Sequence, residues 1–284
     1  MANALIAGCG YIGCALAERL VAASHNVWGL RRSPAPLPAG AHAIAADLNR
    51  PESLAGLPAG LDFVFYLASP GGADDARYRA AYVEGLRHLL RALERQQQRP
   101  ARVFFASSTA VYAGDDAGWV DETSPATPTH FGGVRLLQAE ELLRRGPFPG
   151  CAVRFGGVYG PGRERLIERV RSGRAVCREG PPRYGNRIHR ADCAGSLQHL
   201  MGLERPAELY LGVDCEPAEE CAVLRWLAAE LGAPEPRRVR GAERPGPRPR
   251  TNKRCRNARL LASGYTFRYP SFREGYRALL AASG

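Results

Sequence analysis

Three glycines near the start of the chain have the spacing of a phosphate-binding turn. Gly8, Gly10 and Gly13 form GxGxxG, which follows an apolar run and opens a segment with helical periodicity. The first glycine permits a tight turn, the second lets the backbone approach a pyrophosphate, and the third lets helix and strand pack closely. The positive end of the helix would face the phosphates. We therefore predict a dinucleotide site in this turn, which also contains Tyr11 and Ile12.

Two arginines at the end of the second predicted strand indicate which nucleotide would bind. NAD-specific proteins place an acid there to hold the ribose 2′-hydroxyl, whereas this chain has Arg31 and Arg32. A guanidinium fits a 2′-phosphate in a bidentate geometry, and a carboxylate would repel it. We therefore expect NADP as the cofactor, with NAD as the weaker alternative.

Two later segments lie where the rest of a nucleotide would pass. Asp47 and Leu48 follow the third predicted strand, and a carboxylate there can accept a hydrogen bond from the adenine amino group. Leu67, Ala68 and Ser69 close the fourth strand, where small side chains leave room for the cofactor. We include all five residues in the predicted cofactor site.

Apolar runs alternate with helix-length segments in the first half of the chain. The predicted strands are 3–7, 25–30, 41–45, 62–67, 102–106 and 151–155, and the predicted helices are 11–23, 75–98 and 131–145. This alternation predicts an α/β fold with a Rossmann-type, doubly wound parallel sheet. After residue 160 shorter helices, at 164–172, 191–202 and 218–231, mix with turns. We predict a dinucleotide-binding domain at 1–160 and a smaller α/β substrate lobe at 161–284, interleaved with it.

The composition argues against several other classes of protein. The 284 residues carry a net charge of +11, almost entirely from arginine, because Lys253 is the only lysine. The basic run 237–259 has no aromatic platform, so we do not expect a nucleic-acid partner. Eight cysteines form no CxxC and no zinc spacing, which favours reduced thiols and no metal site. No apolar run is long enough to span a membrane, and the first residues read as a strand, so we expect a cytoplasmic protein.

The motifs together resemble the extended and atypical short-chain dehydrogenase/reductase family, also described as the NAD-dependent epimerase/dehydratase family. Its pieces occur in the family's order over nearly the whole chain. They are GCGYIG at 8–13, Asp47-Leu48, FYLAS at 65–69, SSTAVY at 107–112, RFGGVYGPG at 154–162 and NRIHRAD at 186–192. The last of these, with the segments at 252–255 and 269–275, is similar to a bacterial branch of the family.

The resemblance implies a catalytic Ser/Thr, a Tyr and a Lys four residues after the Tyr. Ser108 matches the first by its offset from Tyr112. The Tyr and Lys positions are best matched by Phe131 and Arg135, and no YxxxK occurs anywhere in the chain. The family's lysine contacts the nicotinamide ribose and lowers the tyrosine pKa, so that a phenol can transfer protons near neutral pH. Arg135 could hold ribose hydroxyls but cannot store a proton, because its own pKa is too high.

Other groups are candidates for the missing proton donor or for substrate contacts. His130 carries an imidazole, a common proton donor and acceptor in catalysis, and Tyr112 and Tyr159 lie in turns that approach the pocket in the family. Asp192 is predicted to cap a helix. Three arginines are candidates to face a small anionic substrate, such as a nucleotide-sugar; they are Arg163, Arg183 and Arg187.

Three functions remain open on these residues. The first is an NADP(H)-dependent oxidoreductase that transfers hydride to a small carbonyl or imine substrate with a non-standard proton donor. The second is a nucleotide-sugar epimerase or dehydratase, and the third is a non-catalytic NADP(H)-binding sensor or scaffold. The resemblance also implies a homodimer that pairs through the helices predicted at 75–98 and 131–145.

Overall fold

A seven-stranded parallel sheet organises the molecule, whose computed structural model describes residues 1–32, 36–114, 116–240 and 251–283. Its strands are β1 (Asn3–Ala7), β2 (Asn26–Arg31), β3 (Ala41–Ala45), β4 (Phe63–Tyr66), β5 (Arg102–Ser108), β6 (Gly150–Phe155) and β7 (Leu209–Gly212). Their order across the sheet is β7-β6-β5-β4-β1-β2-β3, with every neighbouring pair parallel. The order reverses between β1 and β4, which is where such sheets bind their ligand. The predicted α/β fold with a Rossmann-type sheet is confirmed.

Helices cover both faces of the sheet and form the second lobe. They are α1 (Tyr11–Ala22), α2 (Asp75–Tyr78), α3 (Gly85–Arg95), α4 (Phe131–Arg144), α5 (Arg165–Arg171), α6 (Arg190–Met201), α7 (Glu220–Glu230), α8 (Ala258–Ala262) and α9 (Phe272–Ser283). Burial on both faces explains the nearly continuous apolar strands: the side chains of Leu5, Ile6, Val64 and Phe65 are fully buried. Within the described ranges, no helix is long and apolar enough to cross a membrane.

The predicted helix at 75–98 is not a single regular helix. Between α2 and α3 the stretch Arg79–Glu84 is π-helical, and α3 ends at Arg95. The Tyr66 hydroxyl donates a hydrogen bond to the Ala81 carbonyl, and a Cβ at Gly85 would lie only 2.4 Å from that hydroxyl. The Tyr66 hydroxyl therefore lies against the π-helical turn, and the missing side chain of Gly85 leaves space for that hydroxyl.

The chain after residue 160 contributes to the sheet as well as to the smaller lobe. β7 extends the sheet beside β6, and α6 packs on α1. Within the described residues, four small two-stranded ladders join separate segments. They pair Gly118–Val120 with Lys253–Cys255, Gly157–Tyr159 with Arg187–His189, Val176–Arg178 with Arg237–Val239, and Tyr184–Gly185 with Ala218–Glu219. The first two pairings join the smaller lobe to segments that follow sheet strands, and the other two lie within the lobe.

Candidate functional site

A cleft of about 1170 Å³ runs along the carboxyl ends of the sheet strands, between the sheet and the smaller lobe. Most of the cofactor residues predicted from the sequence line it, and so does Ser108. These lining residues are Gly8, Gly10, Tyr11, Ile12, Arg31, Arg32, Asp47, Leu48, Leu67, Ala68 and Ser69. Gly13 lies beneath the turn instead, where an added Cβ would be 3.0 Å from the Gly8 carbonyl oxygen.

The turn after β1 has a backbone that only glycine adopts without strain. Gly8 has φ +88°, and a Cβ on it would lie 2.4 Å from the backbone nitrogen of Ala68. The amides of Gly8 and Cys9 both donate to the Leu30 carbonyl at 3.0 Å. These contacts join the ends of β1, β2 and β4 and leave the turn open to the cleft.

The first turn of α1 fits a phosphate group. No side chain caps this helix within the described residues, and its first turn carries no acid, so its amides face the cleft uncompensated. Arg163 lines the cleft beside it, with its guanidinium carbon 4.0 Å from the centroid of the Tyr11 ring. The buried Tyr11 hydroxyl has no hydrogen-bond partner in the part of the chain that the structure describes. The residues present therefore suit a pyrophosphate between Gly10 and Arg163.

Three guanidiniums gather at the end of the cleft formed by β2. Arg31 donates to the Pro36 carbonyl at 3.3 Å, and Arg32 extends toward the loop after β4, where a Cβ at Gly71 would lie 3.9 Å from its Nη2. Arg77 lines the same region and forms an exposed pair with Asp74. This concentration of positive charge suits a phosphate monoester.

Ser108 marks the opposite end of the cleft. It is the last residue of β5 and lies beside Phe155, the last residue of β6. Its Oγ accepts a hydrogen bond from the Ala110 amide at 3.2 Å and caps the short 3-10 helix Thr109–Val111. Because an accepting hydroxyl keeps its own hydrogen, Ser108 can still donate to a substrate oxygen.

His130 and Arg135, both predicted as catalytic, are not among the described residues that line this cleft. His130 caps α4 through Nδ1, which accepts from the Gly132 amide at 3.1 Å. Arg135 makes two hydrogen bonds to the carboxylate of Asp75, at 2.8 and 2.7 Å. Phe131 packs edge-on against Tyr78, with ring centroids 5.2 Å apart. Arg135 is therefore held by Asp75 on the side of α4 that faces the groove with Arg79 and Glu84.

Tyr112 and Tyr159, the other candidates for the proton donor, are buried and are not among the described residues that line the cleft. The Tyr112 hydroxyl donates to the Asp121 carbonyl at 2.7 Å and accepts from Arg154 at 2.6 Å. Burial raises the pKa of Tyr112 to about 12, against the opposing effect of Arg154. Tyr159 stacks on Tyr276 at 4.7 Å, and burial raises its pKa far above the ordinary value. Both hydroxyls therefore lie among protein groups and not on the surface of the cleft.

The segment predicted to hold a capping aspartate uses a neighbouring residue as the cap. His189 Nδ1 accepts from the Ala191 amide at 3.1 Å and so begins α6. Asp192 instead accepts hydrogen bonds from the Tyr265 hydroxyl and the Arg268 amide, at 2.8 and 2.7 Å. Its role is to fasten α6 to the segment before α9. Of the three arginines expected near an anionic substrate, Arg163 lines the cleft, whereas Arg183 and Arg187 do not.

Lys253 also lines the cleft, and the sequence analysis did not assign it to the site. Its side chain is only 4% exposed, and Nζ donates to the Tyr112 carbonyl at 3.0 Å and to the Thr251 hydroxyl. Burial lowers its pKa below the ordinary lysine value. The only hint in the sequence is that Lys253 is the sole lysine. Nothing in the residues around it indicates that it lies close to the end of β5.

The homodimer expected from the two long helices stays a prediction. The outer faces of the π-helical stretch and of α4 frame a second groove, of about 820 Å³. Its apolar lining residues are Val83, Val134, Leu137 and Leu142, with arginines and glutamates beside them. A surface that carries both charges can be self-complementary about a two-fold axis.

Comparison with known proteins agrees with this architecture. Residues 4–178 match the model of the NAD dependent epimerase/dehydratase family. A 3-beta-hydroxysteroid dehydrogenase of Mycolicibacterium neoaurum is 30% identical over 57% of this chain, although the match spans only 49% of that protein. A 3-diazoavenalumate denitrifying reductase of a Streptomyces species is 28% identical over 95% of this chain and 98% of its own length.

A solved structure gives a similar result over the whole chain. A protein assigned as an NAD-dependent epimerase/dehydratase from Methylobacillus flagellatus is 38% identical, with a TM-score of 0.80, over 99% of this chain and 98% of that one. The glycine turn, the sheet order and the ordered motifs are thus found together with a family match over more than half of the residues. The chain therefore belongs to the NAD-dependent epimerase/dehydratase family, within the extended short-chain dehydrogenase/reductase group.

Proposed function

We propose that the protein is an NADP(H)-dependent oxidoreductase that transfers hydride to a small, already activated carbonyl or imine, with a proton donor other than the family's tyrosine. One observation carries this proposal. A single cleft joins a well-formed phosphate-binding end to a catalytic end that has Ser108 but not the family's YxxxK pair. A bound reduced nicotinamide would supply the hydride there.

The preference for NADP rests on the charge around the end of β2. Arg31 and Arg32 line the cleft where a 2′-phosphate would lie, and Arg77 adds a third guanidinium. No carboxylate occurs at the end of β2, where NAD-specific proteins use one. Asp47, which also lines the cleft, is placed to meet the adenine, although one of its oxygens accepts from the Asn49 amide at 3.0 Å.

The proposed substrate class follows from the missing acid. A strongly polarised acceptor takes hydride with little assistance, so the Ser108 hydroxyl would need only to orient the acceptor atom. The nearly full-length similarity to a denitrifying reductase supports reduction as the reaction type. Arg163 in the cleft would favour a substrate that carries negative charge.

A nucleotide-sugar epimerase or dehydratase, which the family name suggests, is the second candidate. That chemistry removes and returns a proton at each turnover and depends on a working acid–base group. Phe131 stands in place of the phenol, and Tyr112 and Tyr159 are both buried away from the cleft. The cleft therefore presents the Ser108 hydroxyl to orient a substrate, but no tyrosine at the sequence position where the family has its acid–base group.

Thermal unfolding in the presence of NAD, NADH, NADP and NADPH tests the cofactor assignment. A nucleotide that binds the folded state raises the unfolding midpoint by mass action. We expect NADP and NADPH to raise it most, and NADPH to be oxidised with a panel of quinones, diketones and imines. Stabilisation by NAD alone, or NAD carried through purification, would favour the epimerase; NADPH binding without any turnover would favour a sensor.

A further inference from the structure

We propose that Lys253 is the catalytic proton donor of the cleft and takes over the task of the absent tyrosine. The inference deepens the proposed function and rests on it. The sole lysine of the chain lines the same cleft as Ser108 and Gly156, at a sequence position where the family's motifs have no catalytic lysine.

The hydrogen bonds of Lys253 leave it able to meet a substrate. An ammonium group has three N–H donors. Two of them are directed to the Tyr112 carbonyl and the Thr251 hydroxyl, and no third partner occurs among the described residues. The side chain is nearly buried but lines the cleft, so the third N–H group is available to a substrate bound in the cleft.

A network of side-chain amides fixes the segment that carries this lysine. Asn186 donates to the Lys253 carbonyl at 3.0 Å and accepts from the Cys255 amide at 2.7 Å. Asn252 accepts from the Tyr184 amide at 2.9 Å and donates to the Pro182 carbonyl at 3.0 Å. The motifs at 186–192 and 252–255, which had no assigned role in the sequence, thus hold each other. Their joint effect is to hold Lys253 rigidly at the cleft.

The surroundings of Lys253 favour loss of its proton. No carboxylate pairs with it in the described part of the chain, and the Cys255 thiol, which acts against the effect of burial, is the titratable neighbour that bears on its pKa. Tyr184, Glu220 and Arg163 line the same cleft. A buried ammonium without a counter-ion is costly to keep charged, so it gives up a proton more readily than an exposed lysine.

The proposed step balances with the reduced nicotinamide dinucleotide as the reductant. When the acceptor carbon takes hydride, the π electron pair of the C=O or C=N bond moves to the oxygen or nitrogen. Lys253 Nζ gives its proton to that atom and is left as a neutral amine, while Ser108 donates a hydrogen bond to it. Solvent then returns one proton to the amine. The substrate gains two electrons and two hydrogens, and the cofactor is oxidised.

Selective isotope labelling tests the position of Lys253 without any need for turnover. Because the chain has one lysine, protein made with ¹³C,¹⁵N-lysine gives a single side-chain signal. We expect it to titrate below the ordinary value of 10.5. We also expect NADP⁺ to shift this signal and adenosine 2′,5′-bisphosphate, which has the extra phosphate but no nicotinamide, to leave it almost unchanged.

The outcomes separate this inference from the proposed function. Stabilisation by NADPH together with a lysine signal that titrates normally, or that responds equally to both nucleotides, would overturn the role of Lys253 alone. Absence of any stabilisation by NADPH would overturn the proposed function itself. A lysine signal that titrates low and responds to NADP⁺ alone supports both.

Variants add a kinetic readout, with phenanthrenequinone as the acceptor probe. Lys253→Met should lower kcat by about 100-fold or more, as expected for loss of a general acid, while the NADPH affinity changes by less than about threefold. Lys253→Arg should fold and keep the charge without restoring kcat, because arginine holds its proton too tightly. Arg256→Gln is the matched control, since Arg256 packs on Trp119 outside the cleft. Full activity of Lys253→Met would contradict the proposal.

Discussion

The two ends of the cleft are built in different ways. At the nucleotide end, residues 8–32 supply the glycine turn, the start of α1 and the pair Arg31 and Arg32. Only α1 and β2 separate the turn from these arginines in the sequence. At the catalytic end, Ser108, Phe155 and Lys253 come from segments far apart in the chain. The first end keeps the family's pattern, whereas the second has lost its tyrosine and lysine.

This difference indicates that binding and acid–base chemistry are constrained separately. The glycine turn is required by backbone geometry, so it cannot change without loss of the nucleotide site. The proton donor needs only to reach the acceptor atom, so it can come from another segment of the chain, as proposed for Lys253. The following predictions separate the two ends.

The largest effect is expected at the turn after β1. Gly8→Ala places a residue with a side chain in a left-handed backbone conformation and presses its Cβ against the Ala68 backbone. The variant should lose about 4 kcal/mol of unfolding free energy, and NADPH should no longer raise its unfolding midpoint. Gly10→Ala is the matched control for stability, because its Cβ would meet nothing closer than 3.9 Å. Gly10→Ala should fold normally but bind NADPH weakly, measured by denaturant unfolding and by titration. Normal binding in both variants would contradict the turn's role.

A second effect concerns the support of the catalytic end. Glu140 and Arg154 form a buried ion pair at 2.6 Å, and Arg154 also holds the Tyr112 hydroxyl, near the carbonyl that accepts from Lys253. Glu140→Gln removes the charge that balances the buried guanidinium and should cost about 3 kcal/mol of stability.

The control for this change is Asp75→Asn, which breaks the more exposed pair with Arg135. That variant should leave the urea midpoint almost unchanged, because solvent screens the interaction. Equal losses in Glu140→Gln and Asp75→Asn would show that the buried network has no special part in the stability of this end.

A smaller effect is expected from the charge at the nucleotide end. Arg31→Gln should weaken NADPH by about 10- to 100-fold, because it removes charge-assisted hydrogen bonds to a phosphate, and should leave NADH affinity nearly unchanged. Arg91→Gln removes the same charge from an exposed site on α3 and serves as the control. Equal weakening of both nucleotides, measured by fluorescence titration, would argue against a 2′-phosphate site at Arg31.

The smallest effect is expected where the family's tyrosine would be. Phe131→Tyr restores the residue type, but the ring packs edge-on against Tyr78 and does not line the cleft. Turnover of phenanthrenequinone should therefore change by less than about twofold, and the unfolding midpoint by less than about 2 °C. A large gain in alcohol oxidation by this single variant would show that the phenol position is still functional.

The sequence predicted one end of the site far better than the other, for a physical reason. The nucleotide end depends on two local patterns, the glycine turn from Gly8 to Gly13 and the adjacent arginines Arg31 and Arg32. Backbone sterics and the strand–turn–helix order determine their geometry. The π-helical stretch was not predictable, because it depends on the Tyr66 hydroxyl reaching a helix that begins nine residues later. Lys253 was missed because its place depends on amide contacts with Asn186 across the fold.

A crystal structure with NADP⁺ bound tests the central claim most directly, because it locates both ends of the nucleotide at once. We expect the pyrophosphate on the first turn of α1, the 2′-phosphate between Arg31 and Arg32, and the nicotinamide within reach of Ser108 and Lys253. A nucleotide whose 2′-phosphate faces away from both arginines, or whose nicotinamide lies remote from Lys253, would contradict it.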